Sequence, residues 1–348
     1  MLRKRNVLMM VLCFLLVSVT FIGCGNMSGK ASSSVETYPS HQIELIVPFG
    51  PGGGTDLHAR ALQKVAAKYL KQPLVVINKP GGGTIIGFDE LVRSAPDGYT
   101  WGISVPEVIF HSVYGTSKYH YLTALEPVAQ ISSTPQLLLV NANSSWQSVS
   151  DVIKYAKDNK KPIKFASGGL GSASHVLGEI FGRINGIETL QVPFHGGSEK
   201  VAMLLGNHVD VIYNSPSAVK EFVENNKLRA LATTGSKRLK DPLFADIPTL
   251  KELGIDIEFN DWYGIVTPKP LPLEIKKEIA EELKKMILDP DFQENIKMLG
   301  TQLDYLGPEE CQKKWIEDTQ RLKKMVIETG IMEQVREIQG KPIKKEKS

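Results

Sequence analysis

One arrangement occurs twice in this chain and narrows its fold more than any other feature: an apolar run, a glycine-rich loop, then the start of an amphipathic segment. The first copy is Ile43-Glu44-Leu45-Ile46-Val47 followed by Phe49-Gly50-Pro51-Gly52-Gly53-Gly54-Thr55-Asp56. The second is Ile163 to Ala166 followed by Ser167-Gly168-Gly169-Leu170-Gly171-Ser172-Ala173-Ser174-His175. After the first loop, Leu57, Ala61, Leu62, Val65 and Tyr69 share one helical face, which predicts a helix over Thr55 to Leu70. Strand-like runs follow at Pro73 to Ile77, Tyr99 to Val105, Gln136 to Val140, Gln191 to Phe194, Val209 to Tyr213 and Leu228 to Thr233. Helical patterns separate most of them, and two more, Leu273 to Leu288 and Glu309 to Glu328, close the chain. Such alternation predicts the α/β class, with mostly parallel sheets and helices on both faces. The two strand–glycine–helix units lie far apart in sequence, so each is expected to belong to its own lobe and to offer one loop to a shared cleft.

The loops suit an anion. In open α/β sheets ligands bind beyond the carboxyl ends of the strands, where a helix start supplies free N–H groups and a positive partial charge. Glycines let the backbone approach closely, and successive N–H groups form an anion nest. Thr55, Ser172 and Ser174 add hydroxyls, although Thr55 and Asp56 can equally serve as helix caps. Asp56 is expected to brace its loop, because an ionised carboxylate facing an anion would repel it. Other chemistries fit poorly. No Lys follows either glycine cluster, as a phosphate-binding P-loop requires. The dinucleotide fingerprint that begins at Gly50-Pro51-Gly52 fails at Thr55, and the one at Gly169-Leu170-Gly171 fails at Ser174. No serine sits in Gly-x-Ser-x-Gly, and the seven histidines show no metal-binding pairing. Neither a catalytic set, a cofactor nor a metal is therefore expected. His195 stands apart from the other histidines, in a further small loop, Pro193-Phe194-His195-Gly196-Gly197-Ser198, ahead of another helix.

The N-terminus reads as an export signal. Arg3, Lys4 and Arg5 precede the apolar run Val7 to Phe21, which is short for a membrane span and fits a signal-peptide core. It ends at Phe21-Ile22-Gly23-Cys24, similar to a bacterial lipobox with Phe where Leu is usual. The expected organisation is a signal peptide over 1–23, Cys24 as the acylated first residue, and a polar tether over 24–36. Without the three basic residues of that signal, the 41 basic residues become 38, against 38 acidic ones, so no nucleic-acid-binding excess exists. Of three cysteines only Cys311 lies beyond Cys24, which leaves no internal disulfide to form.

Taken with their order and spacing, further segments are similar to the substrate-binding proteins of tripartite tricarboxylate transporters, the Bug family. These are Tyr38-Pro39, Ile46 to Asp56, Asn78-Lys79-Pro80-Gly81-Gly82-Gly83, Ala95-Pro96-Asp97-Gly98-Tyr99-Thr100, Phe165 to Gly168 and Ser172 to His175. Pro193 to Gly197, Val209-Asp210, Pro216-Ser217, Leu228 to Ala232 and Asp246-Ile247-Pro248-Thr249 complete the set. The resemblance implies a two-lobed, type II periplasmic-binding-protein (Venus-flytrap) fold, with the ligand cleft between the lobes. It implies one pincer on a carboxylate from Phe49, Gly52, Gly53, Thr55 and Asp56. A second would come from Ser167, Gly168, Ser172, Ser174 and His175, with His195, Gly196, Gly197 and Asn214 lining the remainder. Position 195 is often Lys in the family, so here the pocket charge depends on His195 protonation. Lobe 1 is expected over 37–141 and 259–335, lobe 2 over 142–258, and a basic tail over 336–348, with crossings near Val140 to Asn143 and Glu258 to Gly264. The implied function is a monomeric, lipid-anchored extracytoplasmic receptor that passes a di- or tricarboxylate, or a related organic acid, to membrane transporter subunits. A sensor presenting the same closed lobes to a signalling partner, or a Rossmann-like oxidoreductase, are the alternatives.

Overall fold

The computed structural model describes residues 38–328 together with Met332, Val335 and Glu337. The signal peptide, Cys24, the tether and most of the 336–348 tail lie outside the described residues. In chain order the first half comprises β1 (Ile43–Val47), α1 (Gly54–Ala66), β2 (Leu74–Asn78), α2 (Ile85–Arg93), β3 (Thr100–Ser104), α3 (Glu107–Tyr114), α4 (Tyr121–Ala124) and β4 (Leu125–Pro135). There follow β5 (Leu137–Asn141), α5 (Val149–Asn159), β6 (Ile163–Ser167), α6 (Ala173–Asn185), β7 (Thr189–Pro193), α7 (Gly197–Leu205), β8 (Val211–Asn214), α8 (Pro216–Glu224) and β9 (Leu228–Thr233). The chain then forms β10 (Asn260–Pro268), α9 (Leu273–Leu288), α10 (Pro290–Met298), β11 (Leu303–Leu306) and α11 (Pro308–Glu328).

These strands build a six-stranded sheet, β11-β4-β10-β3-β1-β2, and a five-stranded sheet, β7-β6-β8-β5-β9. The expectation of mostly parallel sheets is corrected: both are mixed. β1 pairs in parallel with β2 and β3, and β6 with β7 and β8. β10 runs antiparallel to β3 and β4, β11 to β4, and β5 to β8 and β9. The cause is the route between the sheets. β4 and β5 are separated by Gln136 alone, with no helix to reverse direction, so the chain leaves one sheet and enters the next extended.

The first crossing accordingly falls at Gln136, earlier than the expected Val140 to Asn143, and residues 137–141 pair within the second sheet. The return ends where β10 begins, at Asn260. Hydrogen bonds stitch the two crossings together. Gln136 N–H donates to Thr234 Oγ1 (2.9 Å), Thr234 N–H to Gln136 O (2.9 Å) and Phe259 N–H to Thr234 O (2.8 Å).

Period-two alternation in β5 shows why its apolar run is continuous. Leu138 and Val140 face the main core, while Leu137 and Leu139 face a second cluster with Val201, Leu204, Val219 and Phe244. In the six-stranded sheet Ile43, Leu45 and Val47 of β1 pack in the main core with Ala59, Leu62 and Val65 of α1. Burying each of the larger of these side chains contributes about 1.5–3 kcal/mol. This packing holds the α1 start rigidly at the carboxyl end of β1.

Candidate functional site

Glycine-rich loops from the two sheets meet at the carboxyl ends of their parallel strands. Gly50 N–H donates to His195 O (3.0 Å), and Ser198 Oγ donates to Pro51 O (2.8 Å). A Cβ on Gly53 would lie 3.0 Å from Gly197 N. On another side Gly169, at φ +105, would place a Cβ 2.9 Å from Gly83 N. The loops border a partly open cavity of ≈ 50 Å³.

Of the residues expected at the site, the fold brings Phe49, Gly53, Thr55, Gly168, Ser174, Gly196, Gly197 and Asn214 to the cavity wall. Gly52, Asp56, Ser167, Ser172, His175 and His195 are not on that wall. Asp56 is buried and accepts from Gly52 N–H (2.8 Å), Arg60 Nε (2.8 Å) and Asn78 Nδ2 (3.0 Å), which ties the first loop to β2. Burial pushes its carboxyl up, but the hydrogen bonds from Arg60, Gly52 and Asn78 outweigh that and hold it below its ordinary range. Ser172 is the N-cap of α6, its Oγ accepting from His175 N–H (3.3 Å). Gly171 N–H donates to His175 Nδ1 (3.4 Å), and Ala173 N–H donates to Glu107 Oε1 (3.0 Å). The amides expected to hold a ligand at this helix start are therefore engaged within the chain. Ser167 O accepts from Phe194 N–H (2.8 Å), joining β6 to the His195 loop. His195 itself lies in an outer crevice with Gly82, Gly83, Gly169 and Phe194.

The first turns of α1 and α7 differ from that of α6. Their N-caps are Gly53 and Gly196, neither of which supplies a capping side chain. Both helix starts open into the cavity. Uncapped helix starts present N–H donors and a positive partial charge.

A family profile described as "Tripartite tricarboxylate transporter family receptor" (TctC) matches residues 58–331. The chain belongs to this family. It is 31% identical over 304 residues to protein BugT of Bordetella pertussis, covering 86% of this chain and 93% of that one. A protein from the tcbD-tcbE intergenic region of Pseudomonas sp. strain P51 is 30% identical over 304 residues, covering 86% and 90%. The solved structure of the periplasmic binding protein BugD superposes with a TM-score of 0.80 at 28% identity, over 84% of this chain and 99% of that chain. An R. palustris protein solved with adipate gives a TM-score of 0.79 at 27% identity, over 84% and 98%. The α/β fold is thus that of periplasmic binding proteins, and family and fold are those of extracytoplasmic substrate-binding receptors.

In this receptor the cavity wall also carries residues that sequence reasoning missed: Glu107, Gln136, Lys200, Ser215, Asp261 and Tyr263. Glu107 follows β3 through Val105-Pro106, and the strand-end rule that found Thr55 would have found it too. Asp261 and Tyr263 lie on β10, which was not read as a strand. Lys200, on α7, looks in sequence like an ordinary solvated helix charge, yet it is 6% exposed and its Nζ donates to Tyr213 O (2.6 Å). Burial pulls its ammonium down to about 8 despite nearby Asp261 and Glu107. Burial, with repulsion from Glu107, pushes Asp261 up to about 8. Glu107 is likewise raised by burial, which the Ala173 N–H and Lys200 only partly offset.

Proposed function

We propose that this chain captures a small carboxylate in the cavity between its two sheets and delivers it to the membrane subunits of a tripartite tricarboxylate-type transporter. The observation that carries this reading is the meeting of two uncapped helix starts, Gly53-Gly54-Thr55 of α1 and Gly196-Gly197 of α7, in one cavity. Backbone N–H groups and helix-end fields from both sides favour an anion there. Ser174, Asn214 and Ser215 supply polar side chains, and Phe49 supplies an apolar wall. The adipate held by the R. palustris relative supports a carboxylate as the ligand class.

On this reading the two sheets are the cores of two lobes that hinge at the stitched crossings around Gln136, Thr234 and Phe259. The protein binds and releases its ligand without altering it. Among the described residues no helix is long and apolar enough to cross a membrane. Membrane attachment is assigned to acylated Cys24, with residues 24–36 as the tether.

A thermal-shift screen over mono-, di- and tricarboxylates tests the proposal. A ligand at about a hundred times its Kd adds about 2.7 kcal/mol of stability. In a chain of this size that raises the midpoint by several degrees. If no carboxylate raises it at millimolar concentration, the reading fails.

A further inference from the structure

The helix starts account for one end of a ligand; other groups on the same wall are of the opposite kind. Glu107 is 4% exposed and Asp261 is 8% exposed, and both line the cavity. Gln136 is 6% exposed, and its Nε2 donates to Asp261 Oδ2. That leaves its Oε1 buried without a hydrogen-bond partner. Three acceptors, two of them carboxylates, thus border the cavity. Lys200 on that wall gives a hydrogen bond to Tyr213 O and partly offsets the two acids, one positive charge against two carboxylates.

A buried carboxylate without a compensating cation is strongly unfavourable, and a buried acceptor without a donor is costly as well. A ligand with carboxylates alone would bring further negative charge to this wall and no donor for Gln136 Oε1. A ligand ammonium has three N–H donors and a positive charge. A metal ion is the poorer match, since no group of three or more His, Cys, Asp or Glu side chains suited to one gathers among the described residues.

Building on the carboxylate reading, we propose that the cavity takes a small amino-acid-like zwitterion. Its carboxylate lies at the starts of α1 and α7, and its ammonium among Glu107, Asp261 and Gln136 Oε1. The raised proton affinity of the two acids agrees with this assignment. In the empty cavity a proton relieves the same charge imbalance that the ligand ammonium relieves when bound.

Matched pairs that differ only by an amino group decide the matter: succinate and aspartate, glutarate and glutamate, adipate and 2-aminoadipate, propionate and alanine, butyrate and 4-aminobutyrate. Thermal shift finds the best pair, and calorimetry measures both members. The expected result is an aminated member bound at least about tenfold tighter than its partner, about 1.4 kcal/mol. Glu107→Gln and Asp261→Asn should each erase most of that preference, with circular dichroism as the folding control. Gln136→Leu, which changes no charge, takes their place if an acid variant does not fold. Des-amino members bound as tightly as, or tighter than, the aminated ones would overturn this inference and leave the carboxylate receptor standing. A preference that survives in all folded variants would overturn the assignment to these residues. If neither member of any pair binds, this inference fails, and the proposed function fails with it when no tricarboxylate binds either.

Discussion

Alanine at position 53 would test the contact between the two loops with a single methyl group. Gly53 has φ −81 and ψ 168, an extended conformation that alanine adopts without strain. Its Cβ would nevertheless lie 3.0 Å from Gly197 N, a backbone atom that cannot rotate away. Relief to an ordinary contact requires the loops to part by a few tenths of an ångström. Gaps of 0.5–1 Å already forfeit about a quarter to a half of a dispersion contact, and donors aimed at one anion lose alignment together. We expect affinity for the best carboxylate to fall about tenfold, or about 1.4 kcal/mol. Stability of the empty protein should change by less than about 1 kcal/mol, because the poorer N-cap is offset by a less flexible unfolded chain. Gly50→Ala is the control, since its Cβ would sit 3.6 Å from His195 O, an ordinary contact, and the Gly50 N–H bond survives. Calorimetry gives the affinities and urea denaturation the stabilities. Wild-type affinity in Gly53→Ala, or equal losses in both variants, would refute the reasoning.

The buried charges make stability depend on pH in a defined direction. Asp261, raised to about 8, stabilises the fold less and less as pH climbs towards 8, whereas Lys200, lowered to about 8, restores stability from there towards its ordinary 10.5. Buried His58 and His111, both lowered to about 4, act in acid: their contribution is full above 6.5 and is lost as pH falls towards 4. Urea midpoints across pH should therefore pass through a minimum near 8, and Asp261→Asn should lessen the fall between 6.5 and 8; a flat profile there in the wild type would contradict the burial of this acid. Replacing Cys24 by Ser should block acylation and leave the leader uncleaved, so that the chain keeps the mass of residues 1–23 and lacks that of the lipid. Unchanged membrane association at an unchanged mature mass would rule out the lipid anchor.

How much could be read in advance depended on whether a residue's pattern or only its surroundings carries its role. The bounds of β1, β9 and α9 agree with those read from sequence, because unbroken apolar runs and a clear helical face mark them. β4 was missed because Pro127 and Pro135 and polar Gln130, Ser132 and Thr134 disguise it. Its pairing with β10 shifts register beside Pro127, the kind of irregularity where a strand proline is tolerated. With β10 unread, Asp261 and Tyr263 could not be placed. The glycine loops were legible because few other uses explain so many glycines before a helix. Lys200 was not, since a buried charge and a solvated one look the same in a string of letters. Ser172 shows the converse difficulty. Its position before a helix suits either a ligand contact or a cap, and the fold uses it as a cap.

The most direct test of the central claim is a crystal structure of the receptor with the tightest-binding member of the carboxylate panel. The account predicts the ligand carboxylate between Gly53-Gly54-Thr55 and Gly196-Gly197, within hydrogen-bonding distance of the first-turn amides of α1 or α7. A carboxylate bound in the outer crevice beside His195, or away from both helix starts, would contradict it.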